Sequence, residues 1–412
     1  MINTIAPIIE SIFILRFPSS TEQRSTCYPI TALLKRLSNH SRMDTIMHLN
    51  MRKRKSWLST ALLQKTQAWP KTLSKRIGVG RVRSDWWGFI TGWTQKHTLY
   101  LKHFQSGAHL FSPRRAYRFT DEIVELWCYL DRLMLHLILT IIKPTFKHLI
   151  SPTCTHLNGP SSIKKVTQHI QASLQTHRYT HLIRTDIRSY YASINHQILL
   201  DLLYKNYDDP ILQKYFYDIV TAAVDKDGQL FLPTQGIPLR SSLSPFFGAL
   251  YLSALDQAFE NKPGIFYRRY MDDVIILIKN ERLYRKAKKR LFTILRALKL
   301  QVSPHKTRMG RLNQGFHFLG VEFVVAQTPQ HKTQAKPTIH TRTCRRALDR
   351  VQAMRSDAVH PAIKQRYLIH WATWWSNTVG LSRTTLIQQW INHTATQSPS
   401  EQWLGRGLID FK

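Results

Sequence analysis

Between positions 283 and 298, Leu283, Ala287, Leu291, Ile294, Leu295 and Leu298 recur at three- and four-residue steps, with mostly Lys and Arg between them. That stripe predicts an amphipathic helix with one buried face. Just upstream, GIFYRRY (264–270) and DVIILIK (273–279) are β-rich runs separated by two residues, a tight hairpin with Met271 and Asp272 near its turn. THLIRTDI (180–187) reads as a short strand, and FHFLGVEFVV (316–325) as further strand. DKDGQLFL (225–232) reads as a hairpin with Asp227-Gly228 at its tip. Helices are expected near 57–68, 85–105, 162–175, 195–205, 210–224 and 244–260. DEIVELWCYLDRLMLHLILTII (121–142) reads as one long helix, capped by Thr120 and stopped by Pro144.

Interleaved strands, hairpins and helices predict an α+β fold with an antiparallel sheet covered by helices. Residues 1–50 are irregular and rich in Ser, Thr and His, and Met43 or Met51 is an alternative start of translation. A basic helical extension is expected over 51–115 and a polar linker over 326–337. A helical region follows over 338–412, where Cys344, Leu348, Val351 and Met354 form a stripe and Trp371, Trp374 and Trp375 cluster.

Charge changes the picture. The 59 Lys and Arg outnumber the 25 Asp and Glu, for a net charge of +34 and a pI near 10.3. Such an excess repels itself unless a polyanion offsets it, and it is spread along the chain, which favours nucleic acid over a membrane surface. The four cysteines (27, 128, 154, 344) form no close pair, which argues against a zinc ribbon or a disulfide framework and suits a reducing cytoplasm. LMLHLILTII (133–142) is too short to span a bilayer.

The adjacent carboxylates Asp272 and Asp273 then need an explanation, because burying two anions side by side without partners is costly. Turn residues are the plain reading, since Asp is common in turns. A metal centre is the other, and it needs a carboxylate from a second element. Asp186 closes a short apolar strand in the same way. If the two strands are neighbours, the three carboxylates meet at one sheet edge, where they could hold two divalent cations about 4 Å apart. Such oxygen ligands suit Mg²⁺.

LIRTDIRSYYASINH, QGIPLRSSLSPFFGALYL, YRRYMDD, SPHKT and FHFLGVEF occur in that order. Together they resemble the palm motifs of reverse transcriptases of the prokaryotic lineage that includes group II introns, retrons and defence-associated enzymes. The resemblance covers roughly 155–325. It implies a right-hand polymerase, with fingers at 116–180, a palm at 181–325 and a helical thumb at 338–412. It further implies that Asp186, Asp272 and Asp273, with the carbonyl of Ile187, hold two Mg²⁺ (Mn²⁺ as a substitute). Tyr191 matches the residue that blocks a nucleotide 2′-hydroxyl, and simple core packing is the alternative for Tyr190-Tyr191. Gly236 and Arg240 lie in the segment that contacts template and nucleotide, where Leu239-Arg240 replaces the Gln-Gly of many relatives. Ser241 and Ser244 in the same segment are small enough for a nucleic-acid backbone to come close. Arg184 is a candidate for the triphosphate. Lys306 matches a lysine that neutralises or protonates pyrophosphate, with a solvated surface lysine as the alternative. Phe318 and Gly320 match the hairpin under the primer's 3′ end.

The implied partners are an RNA template, an RNA–DNA duplex and dNTPs, with a dedicated noncoding or intron RNA as a further partner, in the bacterial cytoplasm and without a membrane. The basic runs at 51–56 and 112–118, each near an aromatic residue, are candidate phosphate contacts. Two other readings stay open: a template- or primer-independent nucleotidyltransferase in phage defence, and an RNA-binding, maturase-like splicing or assembly factor.

Overall fold

The strand His181–Asp186 is paired on both sides, and the central sheet grows outward from it. The computed structural model describes residues 84–386 apart from 120–121, 160, 314, 328–332, 354–360 and 383–384, all within one compact unit, Lys55–Lys412. The expectations for 1–50, for the helix near 57–68, for the basic run at 51–56 and for Met354 lie outside the described residues.

The described chain opens with helix α1 (Ser84–Ser106), then the antiparallel pair β1 (Arg114–Phe119) and β2 (Glu122–Leu126). Helix α2 (Tyr129–Ile142) starts at Cys128, whose sulfur accepts from the Asp131 N–H. The predicted helix over 121–142 is therefore a strand followed by a shorter helix. Five cross-strand pairs with β1 override the helical reading of Ile123, Val124 and Leu126. Helix α3 (Ser162–Thr176) precedes β3 (His181–Asp186). A short turn of helix, α4 (Tyr190–Ser193), leads to α5 (His196–Asn206) and α6 (Pro210–Val220), capped by Asn195 and Asp209.

The hairpin β4 (Val224–Lys226) and β5 (Gln229–Phe231) turns through Asp227 and Gly228, both left-handed. It joins β1 and β2 in a sheet of order β2-β1-β4-β5, so this sheet takes strands from both sides of residue 180. The apolar run 244–260 breaks at Leu252 into α7 (Ser244–Tyr251) and α8 (Ser253–Phe259). Hairpin strands β6 (Ile265–Tyr270) and β7 (Asp273–Ile278), helix α9 (Glu281–Ala297) and β8 (Arg308–Arg311) follow.

The central sheet has the order β6-β7-β3-β8, and every pairing in it is antiparallel. Val274 to Ile278 are all buried, because both faces of β7 are covered. Helix α9 packs on one face, where His181 meets Glu281 at 2.7 Å and stacks on Tyr284. On the other face Leu182, Ile275 and Leu277 join a core with α3 and the C-terminal elements. Helices and antiparallel sheet thus make the expected α+β fold.

Beyond the central sheet, β9 (Phe316–Phe318), β10 (Val321–Gln327) and β11 (Thr333–Ile339) form a second antiparallel sheet. The polar stretch 326–337, read as a linker, is mostly strand: β11 pairs with β10 over seven positions. Backbone pairing holds it, and its polar side chains give no alternation to read. Helices α10 (Thr341–Ala353) and α11 (Pro361–Val379) close the described chain. Trp375 is buried in their core against the edge of Trp374, which is itself exposed.

Candidate active site

Registration between β3 and β7 places Asp186 directly opposite Asp273. Asp272 precedes Asp273 in the two-residue turn of the β6–β7 hairpin, after Met271, whose φ is 54°. One sheet edge therefore carries all three carboxylates. Burial, then the charges of Asp272 and Asp186, push the Asp273 pKa up to about 6. Asp272 is also raised, first by burial and then by Asp186. Lys306, in a 3-10 turn before β8, donates from Nζ to Asp186 Oδ2 at 2.9 Å. That bond outweighs the opposing effect of burial and, with the charges of the three carboxylates, raises the lysine's own pKa, so it stays an ammonium.

The donors at this edge are carboxylate oxygens partly withdrawn from water, with Lys306 and the half-buried Arg184 as nearby cations. Such a set fits a hard divalent cation. As the side chains stand, no three His, Cys, Asp or Glu among the described residues converge to hold one ion. Lys306 already occupies one oxygen of Asp186. The carbonyl of Ile187 faces away from Val302, its bridge partner, because that bridge uses the Asp186 carbonyl and the Arg188 N–H.

One pH prediction follows from the raised Asp273. Its folded pKa of about 6 lies above the unfolded carboxyl value of about 4, so the folded form binds the proton more tightly. Its contribution to stability is full below about pH 4 and is lost as pH rises through about 6. Asp273→Asn, melted in EDTA, therefore gains stability relative to the parent chain between those pH values. A difference that does not change with pH would contradict the raised value.

Tyr190 and Tyr191 diverge as successive residues of a turn. Tyr190 is 3% exposed and donates to the Gly248 carbonyl at 2.5 Å. Tyr191 is half-buried beside the carboxylates; burial, then the charge of Asp272, push its phenol up to about 12.

The 235–245 segment differs from the sequence-based expectation in which atoms come close. Gly236 has φ 87°, and a Cβ there would lie 2.9 Å from the Ala192 carbonyl. The glycine thus admits this chain's own backbone, locked by Gly236 N–H to Ile194 O at 2.7 Å and Ile237 N–H to Tyr191 O at 2.9 Å. Ser241 and Ser244 are buried rather than open to a nucleic-acid backbone. The Ser241 hydroxyl accepts from the Leu243 N–H, and the Ser244 hydroxyl donates to the Pro238 carbonyl. Leu239 and Arg240 are exposed, on a pocket of about 630 Å³ that Ile123, Glu125, Ala192 and Gln235 also line.

Arg184 lies on the same face of β3 as Asp186, two residues away, with its guanidinium 3.5 Å from His317. Burial lowers its pKa, and Asp273 and Asp186 oppose that. Phe318 is buried in the core with α3 and the C-terminal helices, where its ring packs. Gly320 has φ 81°, and the space beside it is filled by Thr343 and Trp375. Both residues therefore dock the C-terminal helices. In the basic run 112–118, Arg114 is buried and paired with Glu125 at 2.9 Å, while Arg115 and Arg118 are exposed.

Two groups escaped the sequence reading. Asp256 on α8 and Arg269 on β6 form a fully buried pair, Nε to Oδ1 at 2.7 Å and Nη2 to Oδ2 at 2.5 Å, which Tyr267 completes. Arg269 Nη1 also donates to the Met271 carbonyl at 2.9 Å, which ties the pair to the hairpin turn. The second is His156, discussed below. An acid in the buried SALDQAF run and an arginine in a β-rich run were the available signals.

Residues 123–323 match the family model described as reverse transcriptase (RNA-dependent DNA polymerase), a span that includes the whole central sheet. Protein YkfC of Escherichia coli (strain K12) is 22% identical over 173 residues, covering 34% of this chain and 45% of the relative. The chain thus spans less than half the length of that curated relative. Among solved structures, telomerase from Candida albicans in complex with a fragment of telomeric RNA is 11% identical with a TM-score of 0.43, covering 78% of this chain and 69% of that one. Apo telomerase from Candida tropicalis is 14% identical with a TM-score of 0.43, covering 61% and 60%.

Proposed function

We propose that this chain is an RNA-directed DNA polymerase that extends a primer 3′-hydroxyl with dNTPs on an RNA template. The observation that carries the reading is the β3–β7 register, Asp186 opposite Asp273 with Asp272 in the adjoining turn. The family match over 123–323 supports it. Asp186, Asp272 and Asp273, with the Ile187 carbonyl, are the residues that would hold two Mg²⁺ or Mn²⁺. Such cations, when bound, activate the attacking hydroxyl and neutralise charge on the transferred phosphoryl group.

The chain's own residues do the rest. Lys306 orients Asp186 through its 2.9 Å bond, and its ammonium is near enough to neutralise the departing pyrophosphate. Arg184 and the exposed Arg240 offer guanidinium groups to the triphosphate. Tyr191, held beside Asp272, restricts the space at the sugar. Tyr191→Ala should raise ribonucleotide use relative to deoxynucleotide use by about 10- to 100-fold in single-nucleotide extension. An unchanged ratio would remove Tyr191 from that role.

The positive charge would grip an RNA–DNA duplex through its phosphates, so binding should weaken steeply with salt. A dedicated noncoding or intron RNA and a place in the bacterial cytoplasm, in phage defence or a mobile element, belong to the same proposal. Among the described residues no helix is long and apolar enough to cross a membrane. The test is purified chain with an RNA template, with and without primer, in Mg²⁺ with labelled dNTPs or NTPs. Complementary DNA made from the primer supports the reading. Untemplated product would favour a template-independent transferase, and RNA binding without synthesis a splicing or assembly factor.

A further inference from the structure

Met271 sits at a left-handed φ of 54°, as the first residue of a two-residue hairpin turn. Two neighbours hold its backbone. The Arg269 guanidinium holds the Met271 carbonyl from one side. From the other, the Met271 N–H donates to Nδ1 of His156 at 3.1 Å. A ring nitrogen that accepts carries no proton, so the imidazole proton is on Nε2, which donates to the Pro245 carbonyl at 3.0 Å. The Cys154 sulfur lies 3.6 Å from the same Nδ1; burial raises its pKa to about 11, so it is a thiol there and a second, weaker donor. Burial pushes the His156 pKa down to about 4, which keeps this tautomer near neutral pH.

The segment that carries His156 is itself fixed. Arg269 N–H donates to the Thr153 carbonyl at 3.0 Å, and the Thr155 N–H and hydroxyl both donate to the Arg269 carbonyl at 2.9 Å. Cys154 bridges Arg269 in parallel, so 153–155 run as a strap along β6. Pro245 lies in the first turn of α7, whose Gly248 packs against the rings of Tyr190 and Tyr191.

We propose that His156 is a positioning residue for this site: its imidazole, accepting at Nδ1 and donating at Nε2, is a strut between the turn that bears Asp272 and the start of α7. It fixes the turn against the helix that packs on Tyr190 and Tyr191, and touches neither nucleotide nor cation itself. The effect on synthesis rests on the polymerase reading; the effect on the turn does not.

The test uses three substitutions. Asn places an amide oxygen where Nδ1 was, Gln places an amide nitrogen where Nε2 was, and Phe keeps the ring shape with neither. Amide hydrogen exchange of the peptide containing Met271 is read by mass spectrometry in the metal-free full chain, with melting temperature as the folding control. His156→Phe should accelerate exchange at Met271 roughly tenfold, the loss of one hydrogen bond. His156→Asn should restore the protection, and His156→Gln should not. In primer extension, kcat should fall in the same order, with the KM for dNTP changing least. Equal protection of Met271 in all three folded variants would overturn the strut, as would rescue by Gln rather than Asn. Should His156→Phe fail to fold, the Asn and Gln pair still decides. Should the parent chain synthesise nothing, the polymerase reading falls while the exchange comparison still judges the strut.

Discussion

Asp272→Ala should lower primer extension at least about a thousandfold, equivalent to about 4 kcal/mol of lost transition-state stabilisation. The carboxylate stands in a turn whose backbone is held on both sides, by Arg269 at the Met271 carbonyl and by His156 at the Met271 N–H. Removing it leaves Asp186 and Asp273 facing one another across β3 and β7, so the fold should persist. Because burial and Asp186 raise the pKa of Asp272, its loss relieves repulsion in the metal-free protein. The variant should therefore melt no lower than the parent in EDTA. Single-turnover extension on a primed RNA template, with melting as the control, checks both halves. Activity within tenfold of the parent would separate the acidic edge from catalysis.

The largest expected loss of stability lies one layer beneath. Asp256→Ala should cost about 3–5 kcal/mol of unfolding free energy, because it leaves the Arg269 guanidinium buried and uncompensated. Neither partner of this pair is accessible to water. The cost should show as a lower denaturant midpoint with an unchanged slope. Arg269→Met in the Asp256→Ala background should recover part of that loss, since it removes the stranded charge. It should not recover synthesis, because the Met271 carbonyl loses its donor. A change under about 1 kcal/mol for Asp256→Ala would mean that the pair is solvated.

How much of this was readable in the chain depends on whether a feature is local. The β6–β7 hairpin was legible because two β-rich runs flank a two-residue turn, and the α9 stripe because its period is helical. Asp186 was legible as a partner because it ends an apolar strand as Asp273 begins one. Strand β2 was not, since Ile123, Val124 and Leu126 run directly into the apolar residues of α2 and only pairing with β1 separates them. Strand β11 was not either, for its TQAKPTI has no alternation and is held by its backbone.

Within the site, the carboxylates carried a spacing signal but the residues that position them did not. His156 lies 115 residues from Met271 along the chain, in a stretch that reads as loop. Ser241, Ser244 and Phe318 are buried in this fold, and the space beside Gly320 is filled by Thr343 and Trp375.

The acidic edge is expected to be a cation site. Crystals of the chain with a primed RNA template, a dNTP and Mn²⁺ would test it by anomalous scattering. Manganese should be bound to Asp186 and Asp272, with Lys306 displaced from Asp186 Oδ2. Manganese bound elsewhere, with the Lys306–Asp186 bond intact, would contradict it.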